Sequence, residues 1–173
     1  MAALPECVFD TSALIDFDDA HGGVLRAVLG NCRRAIALDL FIGSEIDAAA
    51  ATQMEKWGLE FVELDGPEID SISQEMTEYP ISGAGFNDYA LVHVASREIA
   101  SVVSSNYKHV PRIASRHSTN VIGTLAVLDR LVSAAVLDPL AAAFALQRMI
   151  VAGSYLPLDR CGDRIDRWKQ GQT

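Results

Sequence analysis

The chain has 173 residues, 50% of them hydrophobic and 21% charged, with a formal net charge of −9. That length and apolar content suffice for one sizeable core. The acidic balance excludes broad electrostatic adhesion to nucleic acid or an anionic membrane, because such binding needs Lys and Arg to neutralise phosphates. Any nucleic-acid contact must be local, through metal ions or a small basic patch. Cys7, Cys32 and Cys161 are odd in number and widely spaced, a pattern of neither a zinc site nor a disulfide framework. They suit a reducing cytoplasm. MAALPEC lacks the basic region and apolar core of a secretory signal. The most apolar stretch, AVLDPLAAAFAL, is broken by Asp138 and Pro139 and falls short of the ~20 residues that span a bilayer. The expectation is a soluble cytoplasmic protein with no membrane contact.

Taken in chain order, CVF predicts a short strand, and TSALIDFDDA a helix with Thr11 or Ser12 able to cap it. HGGVLRAVLGN predicts a second helix ended by Gly30 and Asn31, and AIALDLF a buried strand. The alanine-rich GSEIDAAAATQMEKWG predicts a helix with Ser44 as N-cap, Glu45 in its first turn and Gly58 as its stop. LEFVELD alternates as a half-exposed strand does, and PEIDSISQEMTEYP is an amphipathic helix framed by prolines. After the loop ISGAGFN, DYALVHVASREIA has helical spacing and SVVSS the β-branched content of a strand. VPRIASRH predicts a helix with Pro111 in its first turn, NVIG a brief strand, and TLAVLDRLVSAAV a helix. A last helix starts at Asp138-Pro139 and runs to about Gly153. Alternating strands and helices predict an α/β fold, a single three-layer domain over residues 1–156 around a largely parallel sheet. Residues 157–173 read as a polar C-terminal tail.

In an open parallel sheet, ligands bind outside the carboxyl ends of the strands. Asp10 closes the first strand, Glu45 opens the helix after the second, and Asn106 follows SVVSS. Asp88 stands in the first turn of the preceding helix and reaches that edge only if the helix begins there. A carboxylate ending a buried strand loses hydration and needs hydrogen bonds, a cation or a metal in return. Each residue also has a plainer explanation: Asp10 as a helix cap, Glu45 and Asp88 as first-turn acids favoured by the helix dipole, Asn106 as a turn cap. Lys108, Arg112 and Arg116 recur every four residues, as substrate-phosphate contacts or as a solvated helix face.

FDTSALID, GSEI, GFNDYALVHVASREIASVVSSNYKHV and VIGTLAVLDRLVSAAVLDP, in that order, resemble the PIN-domain nucleases over most of the chain. They look like a toxin-like or related PIN subgroup with extra C-terminal helices. The resemblance implies a PIN-like fold and a Mg²⁺- or Mn²⁺-dependent endoribonuclease hydrolysing RNA phosphodiester bonds. It makes Asp10, Glu45 and Asp88 the metal ligands, Asn106 the fourth catalytic position and Ser12 a supporting hydroxyl. It also implies the toxin role of a toxin–antitoxin pair, with an antitoxin protein as partner, and a homodimer. Hard oxygen ligands suit Mg²⁺ or Mn²⁺; one ion activates a water, and a second, ~3.5 to 4 Å away, stabilises the leaving oxygen.

Asn106 departs from the aspartate that members often carry there. Loss of that charge weakens attraction for a second cation while keeping an oxygen ligand. The alternative expectation is therefore a catalytically weakened PIN-fold module that binds RNA or protein. FDTSALID also begins like the aspartyl loop of haloacid-dehalogenase-like phosphatases, but Ser12 stands where that family has its second acid.

Overall fold

The computed structural model describes residues 3–21 and 23–171. Met1 and Ala2 of MAALPEC, Gly22 of HGGVLRAVLGN, and Gln172 and Thr173 of the expected tail lie outside the described residues. Among the described residues the apolar runs form five strands, β1 (Leu4–Phe9), β2 (Cys32–Leu38), β3 (Leu59–Val62), β4 (Ser101–Val103) and β5 (Val121–Ile122). They pair in parallel in the order β3-β2-β1-β4-β5. Cys7, Val8 and Phe9 on β1 and Ala35 to Leu38 on β2 are buried in succession, as they must be where both faces of a sheet are covered.

The helices are α1 (Thr11–Asp19), α2 (Val24–Gly30), α3 (Ala48–Lys56), α4 (Gly66–Glu78), α5 (Phe86–Arg97), α6 (Val110–Ala114), α7 (Thr124–Ser133), α8 (Pro139–Ala152) and α9 (Leu158–Lys169). α4, α5 and α6 touch in succession, whereas α1 meets α2 and α8, and α8 meets α7 and α9. These two groups of helices flank the parallel sheet, giving the three-layer α/β architecture expected. Among the described residues no helix is long and apolar enough to cross a membrane.

The strand order fixes where a site can form. The chain lays β2 and β3 on one side of β1, then crosses to lay β4 and β5 on the other, so the order reverses between β1 and β4. The crevice at such a reversal, beyond the carboxyl ends of the strands, is open to ligands. Phe9 is level with Val103 in the register of that pair. Asp10 and Ser104, the next residues of each strand, therefore face one another at its mouth.

Two expected helix starts move. Asp10, rather than Thr11 or Ser12, takes the N-cap position of α1, and its side chain makes no capping bond. α3 is capped by Asp47, whose Oδ1 accepts from the amides of Ala49 and Ala50, both at 2.9 Å. Ser44 instead donates to the Leu40 carbonyl at 2.8 Å, so Glu45 precedes the helix and is not in its first turn. The reason is local: Ile46 is buried and forms a bridge with Ile42, which holds 42–46 in a turn after the 3-10 segment Asp39–Phe41.

The expected polar tail is a third difference, since 158–169 form α9 against α8. Cys161, Ile165 and Trp168 lie on one helical stripe and are buried, Trp168 to 1% exposure, while Asp159, Arg160, Asp163, Asp166 and Arg167 face outward. A stripe of three apolar residues among so many charges averages out as polar and becomes core only when α8 is there to receive it. The cysteines are free thiols. The hydrogen bond to the Cys7 thiol, together with burial, pushes the Cys32 thiol far above its ordinary range, which leaves it protonated and a poor nucleophile.

α8 begins and ends as its sequence predicts. The Asp138 carboxylate accepts from the amides of Leu140 at 2.9 Å and Ala141 at 3.2 Å, and Gly153 closes the helix at a φ of 90°, which favours glycine. Asp138→Ala should lower stability by about 1 kcal/mol, with Asp138→Asn near wild type, as read by urea unfolding. Trp168→Ala should lower it by about 3–5 kcal/mol in the same assay. An unchanged midpoint for Trp168→Ala would remove α9 from the core.

Candidate active site

Asp10 extends the β1–β4 ladder one step past the strand, its amide donating to the Val103 carbonyl at 2.9 Å. With its carboxylate free of capping, Oδ2 accepts two hydroxyls, Ser12 Oγ at 2.7 Å and Ser104 Oγ at 2.6 Å. Ser104 Oγ in turn accepts the Asn106 amide at 2.9 Å. That contact leaves the hydroxyl proton directed at Asp10. Ser104 is buried at 1% exposure, so its two partners hold it in one orientation.

Two further strings converge on the same edge. The buried Thr11 hydroxyl donates to Glu45 Oε2 at 2.6 Å and lies 3.4 Å from Asp10 Oδ1; the shorter contact takes its single proton. Asn87 Nδ2 donates to the other Glu45 oxygen at 2.9 Å. Asn106 Nδ2 donates to Asp88 Oδ1 at 3.0 Å, and the Gly85 amide donates to Asp88 Oδ2 at 3.0 Å. Asn106 Oδ1 accepts the amides of Lys108 at 3.2 Å and His109 at 3.1 Å. Asn106 is thus both the turn cap and the partner of Asp88, and Asp88 both a first-turn acid of α5 and part of the site.

Asp10, Glu45, Asp88, Asn106 and Ser12 accordingly share one hydrogen-bonded edge. Asp88 arrives because α5 begins there, although the strand that follows it starts at the opposite end of the sheet. Three residues belong to this network without having been expected at the site: Thr11, read from the sequence only as a possible helix cap, Asn87 and Ser104. Ser104 carried a usable signal, a small hydroxylated residue directly after a buried strand. Asn87 stands beside Asp88 in GFND, but a lone asparagine at the start of a helix reads as a cap.

The donor set is all oxygen and partly anionic, which fits a hard divalent ion. Among the described residues no group of three or more His, Cys, Asp or Glu side chains is arranged to hold a metal. Both oxygens of Glu45 and of Asp88 already accept protein hydrogen bonds; the least engaged carboxylate oxygen is Asp10 Oδ1, with its 3.4 Å contact. Each carboxylate oxygen keeps a second lone pair, and Mg²⁺ binds through one or two carboxylates while retaining waters. Asp10, Glu45 and Asp88 thus offer oxygen donors of the kind a hydrated hard ion takes, without being gathered into a metal group.

A cleft of ≈ 950 Å³ opens beside this network, with Ser12 and Asn106 on its wall together with Tyr107, Lys108, Arg160 and Arg164. Gly123 also lines it, and a Cβ there would collide with the Tyr107 hydroxyl. Of the expected phosphate contacts, Lys108 faces the cleft, whereas Arg112 is exposed on α6 outside its lining. Arg116 is turned to α4, its Nε 3.7 Å from Glu75 and its guanidinium 3.5 Å over the Tyr79 ring. The four-residue spacing fails to make one face because α6 ends at Ala114. The cations that replace Arg112 and Arg116 come from α9, where Arg164 is held by Asp129 at 2.8 Å and Arg160 is exposed.

Compared with known protein families, with curated proteins and with solved structures, the chain matches none.

Proposed function

We propose that the protein is a PIN-like, metal-dependent endoribonuclease that hydrolyses RNA phosphodiester bonds at the β1–β4 crevice. The observation that carries the reading is the union of Asp10, Glu45, Asp88 and Asn106 in one hydrogen-bonded edge beside a cleft bearing Lys108 and Arg160. In a chain of net charge −9, cations gathered next to carboxylates supply the local attraction that a polyanion requires.

The roles follow from the contacts. Ser12 and Ser104 hold Asp10 Oδ2, which leaves Oδ1 the less engaged oxygen. Thr11 and Asn87 fix Glu45, and Asn106 fixes Asp88 while its own carbonyl orders the turn that presents Lys108. Lys108 and Arg160 bind backbone phosphates, and Tyr107 and Tyr155 on the cleft wall offer rings on which unpaired bases stack. Mg²⁺ or Mn²⁺ at Asp10 and Asp88 would supply an activated water and charge neutralisation at the phosphate.

A second reading, a PIN-fold module that binds RNA without cutting it, draws on Asn106 in place of an acid and on the absence of a three-acid metal group among the described residues. One assay separates the two. With Mn²⁺ and a panel of structured RNAs, the wild type should cleave, EDTA should abolish cleavage, and Asp10→Asn or Asp88→Asn should lower the rate by about a hundredfold or more. Ser104→Ala should lower it by ~10–100-fold, the range for groups that orient metal ligands. Equal activity in the wild type and both carboxylate variants sinks the nuclease reading; retention of RNA without cleavage moves support to the binding module.

The cleft has its own test. In the Asp10→Asn background, Lys108→Ala and Arg160→Ala should each weaken RNA binding similarly for all sequences, and each should reduce the slope of log K against log salt by ~1. Filter binding at four or more salt concentrations reads this out, and an unchanged slope removes that residue from the phosphate contacts.

A further inference from the structure

Beneath the cleft lies a second polar cluster that the proposed reaction does not use. Asp16 sits on α1 at 5% exposure and Thr124 opens α7 at 0%. Asp16 Oδ2, Thr124 Oγ1 and Ser154 Oγ are all buried without a hydrogen-bond partner among the described residues. The hydroxyls of Ser154, Ser105 and Thr124 stand close enough to the Asp16 carboxyl to act on it, yet Asp16 Oδ2, Thr124 Oγ1 and Ser154 Oγ are left without a well-formed hydrogen bond among the described residues. Ser105 is itself 4% exposed. Unsatisfied buried oxygens are rare, and three together need a common explanation.

The charge balance narrows what can satisfy them. The neighbouring charge acting on Asp16 is that of Asp19, of the same sign, and no Lys, Arg or His forms an ion pair with Asp16 among the described residues. Burial pushes the Asp16 carboxyl above the ordinary carboxylate range, and the hydroxyls oppose that shift. A buried carboxylate without an opposite charge beside it is costly. A positive guest removes both that cost and the deficit of the hydroxyl oxygens, each of which has lone pairs to give. One carboxylate and three neutral hydroxyls match a single positive charge. They are a poor match for Mg²⁺ or Ca²⁺, which take more carboxylates or retained waters than this interior offers.

We infer that Asp16, Ser105, Thr124 and Ser154 form a binding site for a monovalent alkali cation. The four residues come from α1, the loop after β4, the start of α7 and the connection between α8 and α9. The ion therefore ties together the segments that carry Asn106 and Lys108 on one side of the cleft and Tyr155 and Arg160 on the other. This inference is independent of the nuclease reading, because its test measures stability and ion binding and requires no activity.

The test is thermal unfolding of the full chain in NaCl, KCl and choline chloride at equal ionic strength, with each alkali salt also titrated into choline chloride. The wild type should melt higher in at least one alkali salt, by about 3 °C or more when the ion is at ~10 times its dissociation constant, and the rise should saturate. Asp16→Asn should abolish the difference between salts. Ser154→Ala, which removes one ligand and keeps the charge, should move half-saturation to at least about threefold higher concentration, so the inference stays testable if Asp16→Asn does not fold. Crystals soaked in thallium(I) should show an anomalous peak between Asp16 and Thr124. Identical melting of the wild type in all three salts overturns the site and leaves a buried water or a neutral Asp16 in its place. An alkali response that persists in Asp16→Asn, or a thallium peak absent from that position, overturns it as well.

Discussion

The constraint on which the rest depends is a carboxylate set directly after the buried end of β1. Phe9 is at 0% exposure, and the next residue is Asp10. Its charge is tolerable there because the strand order reverses between β1 and β4, which opens a crevice and brings Ser104 within 2.6 Å. Two hydroxyls on one carboxylate oxygen offset much of the lost hydration. The same contacts orient the carboxylate, so what stabilises Asp10 also aims it. A strand ending in the middle of a uniformly wound sheet would provide no such opening.

The hydrogen bonds around this point act outward from Asp10. Ser104 joins it to the turn of Asn106, and Asn106 joins that turn to Asp88 on α5. Thr11, the residue after Asp10, joins it to Glu45 in the turn before α3. Segments distant in sequence are thereby held to one edge by short contacts between small polar side chains. Short side chains such as Ser, Thr, Asp and Asn lose less rotamer freedom on ordering than long ones, which favours a fixed geometry at this edge.

The C-terminal helices both complete the core and line the cleft. α9 buries Trp168 against the rest of the core and turns Arg160 and Arg164 toward the cleft. Arg164 is tied to Asp129 by short contacts, which fixes one wall, while Arg160 stays solvent-exposed and available to an anion. An overall acidic protein thus places Lys108, Arg160 and Arg164 on the wall of one cleft. The interior cluster at Asp16 lies where these walls meet.

Much of the fold was legible from residue order. Five apolar runs, each followed by helical spacing, required a parallel α/β sheet, because buried strands of that length cannot alternate faces with water and helical crossovers have to cover both sides. Asp10 was legible too, as a charge where a strand must end. What the residues could not reveal depended on contacts over long separations. Ser104 and Asp10 are 94 positions apart, and no local pattern announces their pairing. Asp47, not Ser44, caps α3 because Ile46 is drawn into the core first. Arg116 leaves the site for Glu75 and Tyr79, and α9 becomes core because α8 offers a surface for Trp168. Local preference settles which segments become strands and helices, since it acts within one turn or one strand. The meeting of side chains at the site was settled by strand order and by competition for buried surface, which act across the whole chain.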